Sequence, residues 1–233
     1  MNFSIVIPLF NESENINILF REIVKEIDFI DHHKFQIILV NDCSNDNTFE
    51  VISEIEKNNT KFVKIINNIE NSGQSRSILF GVLASKYENI ITLDGDMQND
   101  PKDIKKLINV YCSDKNIALI GGIRKKRKDS YLKIFSSLIA NKFRGSLLKD
   151  GCSDTGCGLK IFNKNIFLAF PFFDGIHRFL PALFTGYKQN TFFIEVNHRP
   201  RFKGNSNYGT IKRLLKGLFD TYRVYNIIRK KTW

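Results

Sequence analysis

The sequence predicts an α/β protein in which a mostly parallel sheet carries helices on both faces. Strand and helix patterns alternate about five times in the first 120 residues, which is typical of a doubly wound sheet. Polar residues cluster where three of the predicted strands end, and such sheets bind ligands at the carboxyl ends of their strands. The 233 residues, of which 42% are hydrophobic, are enough to enclose one large core. A disordered chain and a disulfide-rich miniprotein are therefore excluded.

The elements of the first half follow from two periodicities. The strands are short runs of β-branched and aromatic residues, and the helices place apolar residues three and four positions apart. The predicted strands are Phe3 to Ile7, Phe35 to Val40, Phe62 to Ile66, Ile90 to Leu93 and Ile117 to Ile120. The predicted helices between them are Glu14 to Ile30, Phe49 to Glu56, Ser75 to Ser85 and one opened by Pro101, a residue common in a first helical turn.

Beyond Gly122 the alternation changes. We expect a basic helix from Tyr131 to Leu148 and strands at Leu159 to Phe162 and Thr191 to Val196. A Phe/Pro-rich stretch through Pro181 lies between these strands, and a loop at Asn197 to Gly209 follows them. The last helix places apolar residues on one side, namely Ile211, Leu214, Leu215, Leu218, Phe219, Tyr222, Tyr225 and Ile228. Its other side carries Lys212, Arg213, Lys216, Arg223, Arg229 and Lys230. This helix is predicted to be basic and amphipathic.

The net charge of +11 is concentrated in two segments. Residues 124–149 contain nine basic residues and one acid, and residues 199–231 contain ten basic residues and one acid. The rest of the chain is therefore acidic. Such a polarised surface favours an anionic partner, either lipid headgroups or nucleic acid. A merely solvated basic face is the alternative interpretation.

The sequence also indicates a cellular setting. Four cysteines in 27 kDa fit a reduced intracellular protein with structural thiols. The first residues lack a basic segment before their apolar run and meet Pro8, so we expect a buried strand and not a signal peptide. No apolar run approaches the ~18 residues needed to span a bilayer. We therefore expect a cytoplasmic protein.

The strongest local signal is Asp94-Gly95-Asp96-Met97-Gln98, at the end of a predicted strand. Two carboxylates two residues apart, with the Gln98 carbonyl nearby, are hard oxygen ligands for a divalent cation. Mg²⁺ prefers one or two carboxylates together with diphosphate oxygens, which suggests a nucleoside diphosphate substrate. A plain Asp/Gly turn is the alternative.

Several motifs together resemble the family 2 inverting glycosyltransferases, and in particular the bacterial branch of the dolichyl- and polyprenyl-phosphate sugar transferases. In the first half these motifs are Pro8 to Asn15, Val40 to Thr48, Asn71 to Gly73 and Asp94 to Gln98. In the second half they are Asp154 to Lys160, His177 to Leu183 and Asn197 to Arg201. The resemblance covers nearly the whole chain. It implies a GT-A type fold and an enzyme that uses Mg²⁺ or Mn²⁺.

The resemblance also implies roles for the matching positions. Asp94 and Asp96 would be the catalytic residues, with Asp94 contacting the nucleoside or sugar and Asp96 and Gln98 binding the metal. Further donor-binding residues would be Pro8, Phe10, Glu12, Asp42, Ser44 and Gly73. The acceptor phosphate would be held by Arg124, Lys133, Arg199 and Arg201. Phe10 stands where the family usually has Tyr, and Asn41 stands where it often has Asp, so UDP- and GDP-linked donors both remain open.

The expected reaction transfers a sugar, with inversion, from the nucleotide to a polyprenyl phosphate such as undecaprenyl or dolichyl phosphate. A phosphate monoester is already largely ionised at neutral pH, because its second pKa is ~6, so it needs no general base. An acceptor with a glycan hydroxyl is the alternative and would require a carboxylate base. Asp154 is the candidate for that base, or else caps a loop or pairs with the basic cluster.

The expected organisation follows from these roles. Residues 1–208 would form the catalytic domain, with a nucleotide-binding half (1–122) and an acceptor-binding half (123–208), and residues 209–233 would form the basic helix. That helix either packs on the core or lies on an anionic membrane, which would place the enzyme on the inner face of the plasma membrane. A non-catalytic membrane-binding module is a further alternative. We expect no nucleic acid partner, because we identify no reader motif and no aromatics among the basic residues.

Overall fold

The computed structural model describes residues 1–30, 32–125, 144–200 and 210–230, with side chains in the last range from Lys216 onward. The seven strands are β1 (Phe3–Leu9), β2 (Phe35–Asn41), β3 (Val63–Asn67), β4 (Asn89–Thr92), β5 (Ile117–Arg124), β6 (Lys160–Asn163) and β7 (Asn190–Val196). The labelled helices are α1 (Ser13–Asp28), α2 (Thr48–Asn58), α3 (Gln74–Ala84), α4 (Asp103–Ser113), α5 (Lys164–Leu168), α6 (Leu180–Gly186) and α7 (Thr210–Arg229). A 3₁₀ turn spans Ile176–Arg178.

All seven strands form one sheet in the order β3-β2-β1-β4-β6-β5-β7. Strand β6 runs antiparallel to both of its neighbours, and the other pairings are parallel. The predicted α/β class with a mostly parallel sheet is therefore confirmed. Because β2, β1 and β4 are adjacent and parallel, their carboxyl ends lie side by side at one edge of the sheet.

The core has one apolar layer on each face of the sheet. Helices α1, α2 and α4 pack on one face through residues such as Ile16, Ile52 and Leu107. Helices α3, α6 and α7 pack on the other through residues such as Ile78 and Phe184. Strands covered on both faces are apolar almost throughout, which explains the continuous apolar runs of β1 and β2.

The terminal helix α7 differs from the expectation of one apolar side. Asp220, Thr221 and Val224 are buried, whereas Phe219 and Tyr222 are each 61% exposed. The predicted stripe is thus divided, since Tyr225 and Ile228 pack against the core and Leu218, Phe219 and Tyr222 face solvent. No helix in the described ranges is long and apolar enough to cross a bilayer.

Two expected elements fall partly or wholly outside the described residues. Of the basic helix predicted from Tyr131 to Leu148, only residues 144–148 are described, and they are helical. Most of the predicted loop at 197–209 is not described. The Phe/Pro-rich stretch, for which we predicted no helix, contains α5, the 3₁₀ turn and the start of α6.

Candidate active site

The loops after β1 and β2 are tied together by hydrogen bonds. The backbone N–H of Asn11 donates to Ser44 Oγ over 3.0 Å, and the N–H of Glu12 donates to Thr48 Oγ1 over 2.8 Å. Asn11 adopts a left-handed conformation (φ 57°), which turns the chain out of β1. The structure thus brings the predicted donor residues Phe10, Glu12 and Ser44 to one edge of the sheet.

Asp42 organises the next wall of this edge. Its Oδ1 accepts hydrogen bonds from Asn68 Nδ2 (2.8 Å) and from the N–H of Ser72 (2.9 Å). Its Oδ2 accepts from the N–H of Gly73 (2.8 Å). Gly73 immediately precedes α3 and has φ +83°, a value that L-residues rarely adopt. Asp42 is therefore buried as the organiser of the 68–73 loop, a role that the sequence did not reveal.

The Asp94-Gly95-Asp96 motif follows β4. Asp96 is buried, and its Oδ1 accepts from the N–H of Gln98 over 3.1 Å. Met97 is left-handed (φ 61°), so the chain turns back directly after the second carboxylate. Asp94 Oδ1 accepts a hydrogen bond from Gln74 Nε2 over 2.7 Å. This contact joins the first turn of α3 to the end of β4.

The surroundings of Asp94 favour its protonated form. Burial, reinforced by the negative charge of Asp96, raises the pKa of Asp94 to about 6. Lys160 and Arg124 act in the opposite direction. A bound divalent cation would relieve this repulsion, and carboxylate oxygens suit Mg²⁺ or Mn²⁺. The residues present therefore fit the expected cation, although no cluster of three or more His, Cys, Asp or Glu side chains occurs in the described part of the chain.

The segment before β6 closes over Asp94. A Cβ atom added to Gly158 would lie 2.2 Å from Asp94 Oδ2, so only glycine allows this approach. Thr92 Oγ1 donates to the Gly158 carbonyl over 2.7 Å, and Lys160 is buried next to this segment. We did not assign roles to Gln74, Gly158 or Lys160 from the sequence, although all three adjoin or belong to motifs that carry the resemblance.

Arg124 and Asp154 form a two-pronged ion pair. Arg124 Nε and Nη2 donate to the two carboxylate oxygens of Asp154, each over 2.7 Å. The N–H of Arg124 also donates to Asp154 Oδ2. The side chains are only 14% and 7% exposed. This geometry favours the pairing role of Asp154, because both oxygens already accept hydrogen bonds from a guanidinium.

Arg199 holds the loop that follows the carboxylate pair. Its guanidinium contacts Glu22 of α1 and Asp100, each over 2.6 Å. Its backbone N–H donates to the Gln98 carbonyl over 2.9 Å, and Asn99 bridges with His198. The structure therefore places Arg199 beside the Asp94-to-Gln98 motif but in contact with two acids. Lys133 and Arg201, the other predicted phosphate ligands, lie outside the described residues.

Solved structures of low sequence identity share this architecture. Glucosyl-3-phosphoglycerate synthase from Mycobacterium tuberculosis, solved with Mn²⁺, UDP and phosphoglyceric acid, superposes with a TM-score of 0.72 at 13% identity, covering 100% of this chain and 80% of that one. Mannosyl-3-phosphoglycerate synthase from Rubrobacter xylanophilus gives 0.72 at 11% identity, covering 100% and 76%. The fold is thus the GT-A type that the resemblance implied.

Sequence relatives extend over nearly all of this chain. An undecaprenyl-phosphate 4-deoxy-4-formamido-L-arabinose transferase from Edwardsiella ictaluri is 29% identical over 93% of this chain and 66% of its own length. A dodecaprenyl-phosphate galacturonate synthase from Rhizobium johnstonii is 30% identical over 99% of this chain and 68% of its own length. The chain thus spans about two thirds of the length of these curated relatives.

The sequence profile of glycosyl transferase family 2 matches residues 4–169. That range runs from β1 through α5 and includes the ends of β1, β2 and β4, the carboxylate pair, and the Arg124–Asp154 ion pair. The match covers well over half of the 233 residues. With its motifs, its fold and its relatives in agreement, the chain belongs to glycosyl transferase family 2.

Proposed function

We propose that this protein transfers a sugar, with inversion, from a nucleoside diphosphate to a polyprenyl phosphate. The observation that carries the proposal is the pair of carboxylates, Asp94 and Asp96, at the carboxyl edge of the sheet. The chain is also about 30% identical to two kinds of polyprenyl-phosphate enzyme. The carboxylates support the nucleotide donor, and the names of the relatives support the lipid acceptor.

The donor site extends from β2 to β4 in this proposal. Pro8, Phe10, Glu12 and Ser44 form its floor, and the Asp42-ordered loop with Gly73 forms one wall. Asp96 and Gln98, beside Asp94, are the residues that would hold Mg²⁺ or Mn²⁺. When bound, the cation supplies positive charge against the diphosphate. Both UDP- and GDP-linked donors are to be tested, and the solved UDP complex of the same fold favours testing uridine first.

The acceptor contributes the nucleophile. An oxygen of the ionised polyprenyl phosphate attacks the anomeric carbon, the bond from that carbon to the diphosphate oxygen breaks, and the electron pair leaves with the nucleotide. No proton must be removed first, because a phosphate monoester is already an anion at neutral pH. The engagement of both Asp154 oxygens by Arg124 supports an acceptor that needs no base. Arg124, held in one orientation, would then position the phosphate.

We assign the two halves of the chain different tasks. Residues 1–122 supply the donor contacts. Residues 123–208 supply Arg124, Asp154 and Lys160 for the acceptor side. Beyond these two halves, residues 209–233 form the membrane-facing helix. A lipid acceptor requires the enzyme to meet a bilayer, and the net charge of +11 favours an anionic one. We therefore propose a peripheral location on the inner face of the plasma membrane. We also propose that the protein has no nucleic acid partner.

The test is a transfer assay with radiolabelled UDP- and GDP-sugars and purified undecaprenyl phosphate. We expect a lipid-linked product that disappears on chelation of divalent metal and returns with Mn²⁺. Asp96→Asn should lower the rate by at least about 10²-fold, whereas Asp28→Asn, a matched change of an exposed aspartate at the end of α1, should retain most of it.

The two alternatives give different results in that assay. A glycan hydroxyl acceptor would yield product from oligosaccharides and none from the lipid phosphate. A non-catalytic membrane module would yield none from any acceptor, and Asp96→Asn would then leave its membrane binding unchanged. Either result would contradict the proposed function.

A further inference from the structure

The orientation of α7 about its own axis is fixed by what it buries. Asp220 is 2% exposed and Val224 is fully buried. A Cβ atom added to Gly175 would lie 2.9 Å from Asp220 Oδ2, and Gly175 has φ +106°, so this contact depends on glycine. Arg223 pairs with Asp220. The helix therefore cannot rotate without burying different residues and breaking these contacts.

This orientation turns three large apolar side chains outward. Leu218 is 40% exposed, and Phe219 and Tyr222 are each 61% exposed. They occupy positions i, i+1 and i+4, which form one patch on a helix surface. A helix that packed only on the core would show the reverse arrangement, with these residues inside and Asp220 outside. We call these three residues the outer patch of α7.

Positive charge surrounds the outer patch. The guanidinium of Arg223 lies 5.0 Å from the centre of the Phe219 ring. Lys216 and Arg229 are exposed on the same helix, and Lys230 is exposed directly after it. Lys216 also contacts Asp174. From Lys216 to Lys230 the only acid is Asp220, and it faces inward. An apolar patch bordered by cations is typical of a helix that lies in the headgroup region of an anionic membrane.

The same helix reaches the donor edge through short contacts. Asp220 adjoins Gly175, whose N–H donates to Ser75 Oγ over 2.8 Å. Ser75 Oγ also lies 2.6 Å from His177 Nδ1. Ser75 is in the first turn of α3, directly after Gly73 and Gln74. The buried side of α7 is therefore linked through Gly175 and Ser75 to the first turn of α3, next to the proposed donor site.

We propose that the outer patch of α7, formed by Leu218, Phe219 and Tyr222, docks on the surface of an anionic phospholipid bilayer. The biological use of this contact rests on the proposed function, because a lipid acceptor must be met at a membrane. A second copy of the chain is the competing occupant. A symmetric pairing through this patch would bring the same cations together, whereas anionic headgroups neutralise them.

The test uses the complete chain and vesicles that contain no polyprenyl phosphate. Co-sedimentation with phosphatidylcholine vesicles containing phosphatidylglycerol is compared between the native protein and the variant Phe219→Gln/Tyr222→Gln. We expect the partition coefficient to fall at least tenfold in the variant and to fall for both proteins as NaCl is raised. Leu83→Gln, which changes another exposed apolar residue (55%), is the matched control and should bind like the native protein.

Thermal unfolding of all three proteins checks that they fold alike, because each substituted residue is exposed. Unchanged vesicle binding in the double variant would overturn the proposal. So would a concentration-dependent dimer of the native protein, seen by analytical ultracentrifugation and lost in the variant, since the patch would then be a self-interface.

An activity measurement separates this proposal from the proposed function. With a short-chain, water-soluble isoprenyl phosphate as acceptor, the double variant should match the native rate, but with undecaprenyl phosphate in vesicles it should be slower. If no acceptor gives product while vesicle binding still depends on the patch, the docking proposal stands and the proposed function fails. Equal rates of native and variant protein on the vesicle acceptor would count against docking.

Discussion

The side chain of Asp94 is contacted at both oxygens, because Gln74 donates to one of them and Gly158 lies against the other. Its neighbour Asp96 is buried only two residues away. Burial and the negative charge of Asp96 raise the pKa of Asp94, and a site of this kind is destabilising until a cation neutralises it. At the scale of single residues, the molecule therefore gives up stability where it gains a binding site.

Gly158→Ala should disturb Asp94 more than it disturbs the fold. The added methyl group would meet the flexible end of the Asp94 side chain and not backbone, so we expect a loss of no more than about 1–3 kcal/mol in unfolding free energy. A displaced carboxylate should lower kcat/KM for the donor by about 10²-fold. Gly145→Ala, where no atom lies within 4 Å, is the control. Equal kinetics for the two variants would contradict the assigned contact.

Asp94→Asn should stabilise the metal-free protein while abolishing donor binding. The carboxyl pKa is raised from 3.8 to about 6, so the folded state holds the proton more tightly than the unfolded state does. Stability of the native protein is therefore lost as pH rises from about 4 to 6. The variant lacks this loss and should be more stable at pH 7 by roughly 1–2 kcal/mol, allowing for solvent screening.

The measurement for Asp94→Asn is the melting temperature in chelator from pH 4 to 8. The difference in melting temperature between variant and native protein should increase between pH 4 and 6 and stay constant above pH 7. A constant difference across the whole range would show that Asp94 does not titrate there.

Asp154→Asn and Arg124→Lys should have similar effects, because each breaks the same two-pronged ion pair. We expect the acceptor KM to rise about tenfold or more in each, and the double variant should be little worse than either single one. Steady-state kinetics at varied acceptor concentration test this. If Asp154→Asn instead lowers kcat much more than Arg124→Lys does, Asp154 is acting as a base.

The sequence identified the site only in part, and the reason lies in how the residues meet. Asp94, Asp96 and Asp42 stand at strand ends, where the pattern of an α/β sheet predicts ligands. Gln74 and Gly158 reach Asp94 from segments 20 residues before and 64 residues after it, and no local pattern encodes such contacts. The partners of Arg199, which are Glu22 and Asp100, are even more distant in sequence, at 177 and 99 residues.

At the scale of elements, the strands and helices of the first half lie within a few residues of their predicted bounds. Each segment there shows either the helical or the strand spacing of apolar residues, and not a mixture of the two. Helices α5 and α6 were missed since closely spaced Phe residues, several of them buried, hide the helical period. The orientation of α7 was also missed. Periodicity locates an apolar stripe, but it does not reveal that Asp220 lies on the buried side of the helix.

The segment after β7 contacts the loop that follows the carboxylate pair and holds it in place. Arg199→Ala removes the contacts to Glu22 and Asp100 and should lower the unfolding free energy by about 1–2 kcal/mol, since the pairs are partly exposed. Urea unfolding measures this. When Arg199→Ala is introduced into a protein that already carries Asp100→Asn, it should lower the unfolding free energy by less than it does in the native protein. A rise in acceptor KM without any loss of stability would instead support the predicted phosphate-binding role.

At the scale of the whole molecule, binding to the folded state alone should raise its melting temperature. With Mn²⁺ and the correct nucleotide at about 100 times Kd, the gain is about 2.7 kcal/mol, or roughly 5–10 °C for a chain of this size. A thermal-shift screen of UDP, GDP, CDP and ADP therefore identifies the base. The shift should vanish in Asp96→Asn, and a shift that survives chelation would contradict metal-assisted binding.

The antiparallel strand β6 has a consequence for how the protein is made. Strand β6 pairs with β4 on one side and β5 on the other, so the ribosome must pass residue 163 before the centre of the sheet can close. Until then β4 and β5 of a growing chain lack this partner, and their unpaired apolar edges are templates for aggregation. Gly158 and Lys160 are added at this same stage, so the surroundings of Asp94 and the closure of the sheet are completed by one late folding event.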